Sequence, residues 1–205
     1  MADTRRLRLY LIRHGEVEGA ARLLGRTDAA LSTRGIEQAH QLAEALTGAN
    51  LSAVYSSDLQ RARVTAEVIA KHTNSSVQED QAWCEIDMGQ WEDRTMASLY
   101  GEAPELVAQL FDEPASFAYP DGESFAAFIP RVQRALADLQ QKHEHGDVAL
   151  VTHGGVCRAI IGTALEMPPR NWLRLAQDYG CLNVIDWYDT HPMLQLLNSK
   201  PGAPE

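Results

Sequence analysis

The sequence predicts an α/β fold built on a mainly parallel sheet, and three observations carry that expectation. Short apolar runs of β type alternate with segments of helical periodicity along the chain. The first run, Leu7–Ile12, breaks off at Arg13-His14-Gly15, and a late run, Val148–Val151, breaks off at Thr152-His153-Gly154-Gly155. Residues 155–166 are largely apolar, as expected of a helix buried against a sheet.

The elements follow in order. Residues 7–13 form the first strand. Residues 33–47 form a helix: Ser32 or Thr33 caps it, Ile36, Ala39, Ala43 and Leu46 make one apolar stripe, and Gly48 ends it. Ala53-Val54-Tyr55 is a short strand. Ser57 or Asp58 caps a second helix whose stripe is Leu59, Ala62, Ala66 and Ile69. Periodicity weakens over 93–120, where helical pieces near 95–101 and 104–112 read as a lid or insertion. A long helix follows Gly122 with Phe125, Phe128, Val132, Ala135 and Leu139 at helical spacing, and Pro130 predicts a kink or restart inside it. Residues 147–152 are a strand and 155–166 a helix. Cys181–Tyr188 and Met193–Leu197 are a closing hairpin, and Pro201-Gly202-Ala203-Pro204 a loose tail.

A chain of 205 residues is most simply one domain, 1–205. The hydrophobic fraction of 45% and charged fraction of 22% are those of a soluble globular protein. No run approaches a membrane span, and the N-terminus lacks the pattern of a signal peptide. Cys84, Cys157 and Cys181 read as buried free thiols in a reducing, cytoplasmic setting. A net charge of −10 speaks against nucleic acid or an anionic membrane as partner. A small phosphate ester remains compatible, because a few converging arginines outweigh net charge inside a narrow pocket.

His14 is the first candidate for chemistry. A neutral imidazole is nucleophilic near pH 7 and can accept a phosphoryl group. Alone, it is as well explained as a strand-end histidine filling hydrogen bonds. Its neighbours change that balance. Arg13 offers a planar fork to phosphoryl oxygens. Arg61 lies in the first turn of the second helix, where guanidinium and helix N-terminus favour an anion together. His153 adds a donor, and Gly154 and Gly155 let the backbone approach closely. Clustered positive donors are what in-line phosphoryl transfer needs. A leaving alkoxide also needs a proton. In Trp83-Cys84-Glu85-Ile86-Asp87-Met88-Gly89-Gln90-Trp91-Glu92 a carboxyl among apolar residues is suited to general acid catalysis. Glu85 is the candidate, with Asp87 and Glu92 as rivals and solvated carboxylates as the plainer alternative. His143-Glu144-His145-Gly146 has the look of a metal pair, but its place at a helix end favours dipole-compensating histidines. Arg5-Arg6 with Arg8 reads as a solvated strand start.

These residues resemble, in order, the motifs of the histidine phosphatase superfamily, also called phosphoglycerate mutase-like. Leu11-Ile12-Arg13-His14-Gly15-Glu16 is similar to its N-terminal signature. Gly25-Arg26-Thr27-Asp28 with Leu31-Ser32 and Gly35 resembles the next block, and Ser57–Ala66 the segment whose first arginine binds phosphate. Glu85…Met88-Gly89-Gln90-Trp91-Glu92, Pro120–Ser124 and Val151–Gly155 complete the set, which spans most of the chain. The resemblance implies a three-layer α/β/α sandwich with its site at the C-terminal ends of the strands. It implies that His14 is phosphorylated, that Arg13, Arg61 and His153 cradle the phosphate with Gly25 and Gly154 among the binding residues, and that Glu85 is proton donor and then base. No metal and no cofactor are implied; the protein is expected as a monomer or homodimer.

Two features bear on the substrate. Residues 95–130 contain no lysine or arginine, which favours a phosphatase over a mutase gripping a second anionic group. Asp178-Tyr179-Gly180-Cys181, with Ile185-Asp186 and Leu196-Leu197-Asn198-Ser199, resembles the alpha-ribazole phosphatases of cobalamin biosynthesis. Trp83, Trp91, Tyr100, Phe111, Phe117 and Tyr119 then either line a ring-accepting cavity or form lid core. The loop Val17–Gly25 departs from the family pattern: it lacks asparagine and has Leu24 before the glycine. Glu18 there repels an anion unless it points outward or pairs with Arg22. The remaining readings are a mutase and a non-catalytic phosphate sensor on the same scaffold.

Overall fold

The structure is a computed structural model describing residues 4–202. Six strands form one sheet: β1 (Arg5–Arg13), β2 (Leu51–Ser56), β3 (Val77–Glu79), β4 (Gly146–Thr152), β5 (Leu182–Tyr188) and β6 (Pro192–Ser199). Their spatial order is β3-β2-β4-β1-β5-β6. The first four lie parallel, while β5 runs antiparallel to β1 and β6 antiparallel to β5.

Side-chain alternation along the strands makes three layers. Leu7, Leu9 and Leu11 of β1, with Val148 and Leu150 of β4, join the core beneath α5 (Phe125–Lys142) and α6 (Gly154–Ala164). Ile12, Ala149 and Val151 face the opposite way, against Leu42, Ala43, Ala62, Ala66 and Ile69 of α1 (Thr33–Ala45) and α2 (Gln60–His72). Two short helices, α3 (Met96–Glu102) and α4 (Pro104–Asp112), add Leu99, Val107 and Leu110 to the first of these cores.

Several details depart from the sequence reading. Ser32 caps α1, as expected, by accepting from the amide of Gly35. Ile36, however, is 37% exposed, and Leu42 takes the buried place in the stripe. Neither Ser57 nor Asp58 caps α2; Leu59 stands at that position without a side-chain bond. The amide of Gln60 is instead satisfied by the Asp28 carboxylate from a distant loop. The α5 helix runs unbroken through Pro130, so no restart occurs. Pro130 falls one turn and a half from the helix start, where its missing N–H removes a single bond. The three-residue β3 was not foreseen, being too short for a periodicity. Arg8 is not a solvated strand start: its guanidinium makes a two-pronged pair with buried Asp186, both bonds 2.7 Å, and Arg5 bonds Asp147. The tail residues Ala203 and Pro204, like the first three residues of the chain, lie outside the described residues.

Register brings the strand ends together. Arg13 pairs with Thr152 and Ser56 with Val151, so β1, β4 and β2 finish level with one another. The amide of His14 then bonds the carbonyl of Thr152 at 2.9 Å, carrying the alignment one residue past the strands. The crevice beyond the carboxyl ends of adjacent parallel strands is where open α/β sheets bind ligands.

Candidate active site

His14, Ser57 and His153 are the first residues beyond those three level strands, and all are buried. The rings of His14 and His153 meet edge to face with centroids 5.0 Å apart. Nδ1 of His14 lies 2.7 Å from the carbonyl oxygen of Gly15, which can only accept, so Nδ1 carries the hydrogen. Nε2 therefore holds the lone pair, and Nε of Arg61 donates to it at 3.2 Å. Burial, reinforced by the Arg61 and Arg13 guanidiniums, holds the His14 pKa well below its ordinary value. Burial and Arg61 depress His153 in the same way. Both rings are thus neutral near pH 7.

The three expected cradle residues differ in how they are held. Arg61 is fully buried; its Nη1 donates to the carbonyl of Thr27 at 2.7 Å and its Nη2 to that of Gly25 at 2.8 Å. Much of its fork is thus committed to the loop rather than offered to a ligand. Arg13 donates through Nη1 to the carbonyl of Gln177 at 2.6 Å, and its guanidinium carbon lies 3.8 Å over the Tyr179 ring. Its Nε is buried without a partner, as is Nδ1 of His153, whose Nε2 lies 2.7 Å from Ser57 Oγ. The orphan Arg13 Nε–H next to a neutral imidazole is suited to an anion, and His153 Nδ1 joins it as a donor in the tautomer in which the Ser57 hydroxyl donates to Nε2.

Glu85 is buried on the far wall. Its carboxylate accepts from the amide of Gly155 at 2.8 Å and from that of Ile86 at 3.0 Å. A β-carbon on Gly155 would stand 2.2 Å from Glu85 Oε1, so only glycine permits this contact. The rival acids serve the scaffold. Asp87 accepts from Gly89, and Glu92 accepts from the amides of Gly25, Arg26, Thr27 and Met88 and from the Thr27 hydroxyl. Burial opposes its charge, but these bonds hold the Glu92 carboxyl below the usual range. Glu92 therefore shapes the loop whose carbonyls hold Arg61. Glu18 points into solvent, and Arg22 pairs with Asp93 rather than with Glu18.

A pocket of about 250 Å³ is lined by Arg13, His14, Arg61, Glu85, Gly154 and Tyr179, among others. It shares Leu23, Glu85, Met88 and Arg158 with an apolar cavity of about 200 Å³. Of the six aromatic residues read as either cavity lining or lid core, Phe111 and Tyr119 line that cavity; Phe125, Phe128 and Trp172 supply its other rings. Trp83, Trp91 and Phe117 are core, and Tyr100 is 53% exposed. Sequence reasoning passed over Arg158 and Gln177, and named Tyr179 only within a motif, without a role. An arginine one helical turn after a Gly-Gly helix start was the available signal for the first; nothing local marks the others. His143 ends α5 as expected, but it bonds the Tyr55 hydroxyl, and burial lowers its pKa, so it is a neutral partner rather than a cation at the dipole.

The model of the histidine phosphatase superfamily (branch 1) matches residues 9–200. The chain is 32% identical over 196 residues to the adenosylcobalamin/alpha-ribazole phosphatase of Escherichia coli, covering 95% of this chain and 97% of that protein. It is 34% identical over 190 residues to the "Probable phosphoglycerate mutase GpmB" of Proteus mirabilis, covering 92% and 88%. The crystal structure of the alpha-ribazole phosphatase from Shigella flexneri superposes with a TM-score of 0.85 at 30% identity, covering 97% of this chain and 99% of that one.

Proposed function

This chain belongs to the histidine phosphatase superfamily, branch 1, and from that premise we propose that it hydrolyses a small-molecule phosphate monoester through phospho-His14, without a metal. The observation that carries the reading is the fixed tautomer of His14. With Nδ1–H tied to Gly15, the lone pair of Nε2 faces the pocket shared by Arg13, Arg61 and Glu85.

In the first step Nε2 attacks phosphorus, the N–P bond forms, and the ester P–O bond breaks. Glu85, protonated, gives its proton to the departing alkoxide oxygen. In the second step a water oxygen attacks phosphorus, the N–P bond breaks, and Glu85 takes a proton from that water. The sum is ester plus water giving alcohol plus phosphate. Arg13 Nε, and His153 Nδ1 in the tautomer in which the Ser57 hydroxyl donates to Nε2, stabilise the equatorial oxygens, and Arg61 contributes its charge while aligning the ring. The apolar cavity beside Glu85 takes the leaving group, which favours a ring-bearing alcohol over a carboxylate-rich one. Alpha-ribazole phosphate, the substrate in the names of two relatives, is the first ester to test.

The test is turnover of 4-nitrophenyl phosphate, alpha-ribazole phosphate and 3-phosphoglycerate with a chelator present, together with acid-labile, alkali-stable radiolabel on the quenched enzyme. Turnover and label should both vanish in His14→Ala. Activity that requires an added metal, or label that survives in His14→Ala, overturns the mechanism. Isomerised phosphoglycerate identifies a mutase, and binding of ester without turnover a sensor.

A further inference from the structure

Arg158 takes no part in the steps above, yet it stands where they occur. It lies one turn into α6, on the side of Gly154, and long helical side chains lean back toward the helix N-terminus. A β-carbon on Gly154 would lie 3.0 Å from Arg158 Nη1 and 3.5 Å from Arg13 Nε, which puts the Arg158 guanidinium at the edge of the anion pocket. Its Nε is anchored on the carbonyl of Leu175 at 2.9 Å, which orients the head and leaves Nη1 beside Gly154.

That position is on the leaving-group side. The nucleophile and the departing oxygen lie in line on opposite sides of phosphorus. Glu85, which protonates that oxygen, lines both the anion pocket and the apolar cavity, and Arg158 does the same. The rest of the cavity wall is Leu23, Ile86, Met88, Met96, Phe125 and similar side chains; Arg158 is the one basic residue in it. The guanidinium shares this wall with the Glu85 carboxylate, and a ligand that brings a further acceptor beside it is favoured over one that is apolar throughout.

Building on the phosphatase reading, we propose that Arg158 is a specificity-determining residue that selects esters whose apolar, ring-bearing leaving group carries a hydrogen-bond acceptor close to the ester oxygen. A site built around a polar contact discriminates strongly against analogues that lack the matching group.

The experiment compares phenyl phosphate with 2-methoxyphenyl phosphate, whose ether oxygen adjoins the ester oxygen and whose phenol is of similar acidity. Wild type should prefer the methoxy ester. Arg158→Met should lower kcat/KM on both, but by at least about 10-fold more on the methoxy ester. Arg158→Lys, which keeps the charge and loses the fork, should fall between, and thermal unfolding of both variants reports whether they are folded. Equal losses on the two esters, or an unchanged ratio in either folded variant, overturn the proposal. Wild-type turnover that persists in His14→Ala would instead remove the phosphohistidine reading, so the two failures are separable.

Discussion

Arg61 Nε points at Nε2 of His14 from 3.2 Å, so the guanidinium aims the imidazole from one end while the Gly15 carbonyl holds it from the other. Burial first, and then the Arg61 cation, oppose a positive charge on this ring, so Nε2 keeps a lone pair, which accepts from Arg61 here and must be released to attack phosphorus.

The first prediction concerns pH. His14 and His153 are both held well below their ordinary pKa of 6.5, chiefly by burial. The unfolded chain therefore binds protons that the folded chain refuses once pH drops under 6.5. Stability is fully present above that value and declines as pH falls from it toward the folded pKa values. Imidazole NMR should show both rings neutral at pH 6.5, and denaturant midpoints should fall on acidification more steeply in wild type than in His153→Asn. A His14 ring that titrates at 6.5 would contradict the geometry.

The second concerns Glu92. Its carboxylate gathers the amides of Gly25, Arg26 and Thr27, whose neighbouring carbonyls hold Arg61. Glu92→Gln exchanges an acceptor oxygen for a donor and leaves loop amides short of a charged acceptor. A loss of about 1–3 kcal/mol is expected by chemical denaturation, with a parallel fall in kcat. Unchanged stability would show that the loop is held by other means.

The third concerns Gly155. A methyl group there collides with Glu85 Oε1 and displaces the carboxylate, whose atoms are the three nearest to it. Gly155→Ala should lower kcat roughly 100-fold, the scale of a 1 Å misplacement, and should leave binding of inorganic phosphate within a few-fold of wild type. Steady-state kinetics and calorimetry check both halves.

The fourth concerns Tyr179, whose ring underlies the Arg13 guanidinium at 3.8 Å. Its hydroxyl makes only a long 3.5 Å bond to the carbonyl of Ala20. Tyr179→Phe should therefore retain nearly all kcat/KM, whereas Tyr179→Leu should lose a factor of about 3–30, in line with a cation–π contact of ~0.5–2 kcal/mol. Equal effects of the two variants would assign the role to the hydroxyl.

Much of the site was legible because its members sit at breaks in periodicity. Arg13, His14 and His153 follow strands that end abruptly, and Arg61 opens a helix. Glu85 led its acidic neighbours as the candidate acid, and the resemblance gave it the role of proton donor and then base. Glu92 was legible as a residue and not as a role, because a carboxylate beside a tryptophan can serve as acid, solvated group or loop anchor equally well. Arg158 and Tyr179 carried little or no local signal. The aromatic cavity was half legible: Phe111 and Tyr119 line it, while Trp83, Trp91 and Phe117 went into the core.

What the sequence by itself determined was the layering and the chemistry at the strand ends, since apolar period and chain breaks are properties of neighbours along the chain. What only the tertiary structure decided was partnership: that Glu92 holds the loop at Gly25, that Asp28 caps α2, that Arg61 serves His14, and that Arg158 stands between anion pocket and apolar cavity. Those choices depend on strand register and side-chain direction across dozens of residues. A buried donor takes whichever acceptor the packed layers place within 3 Å of it.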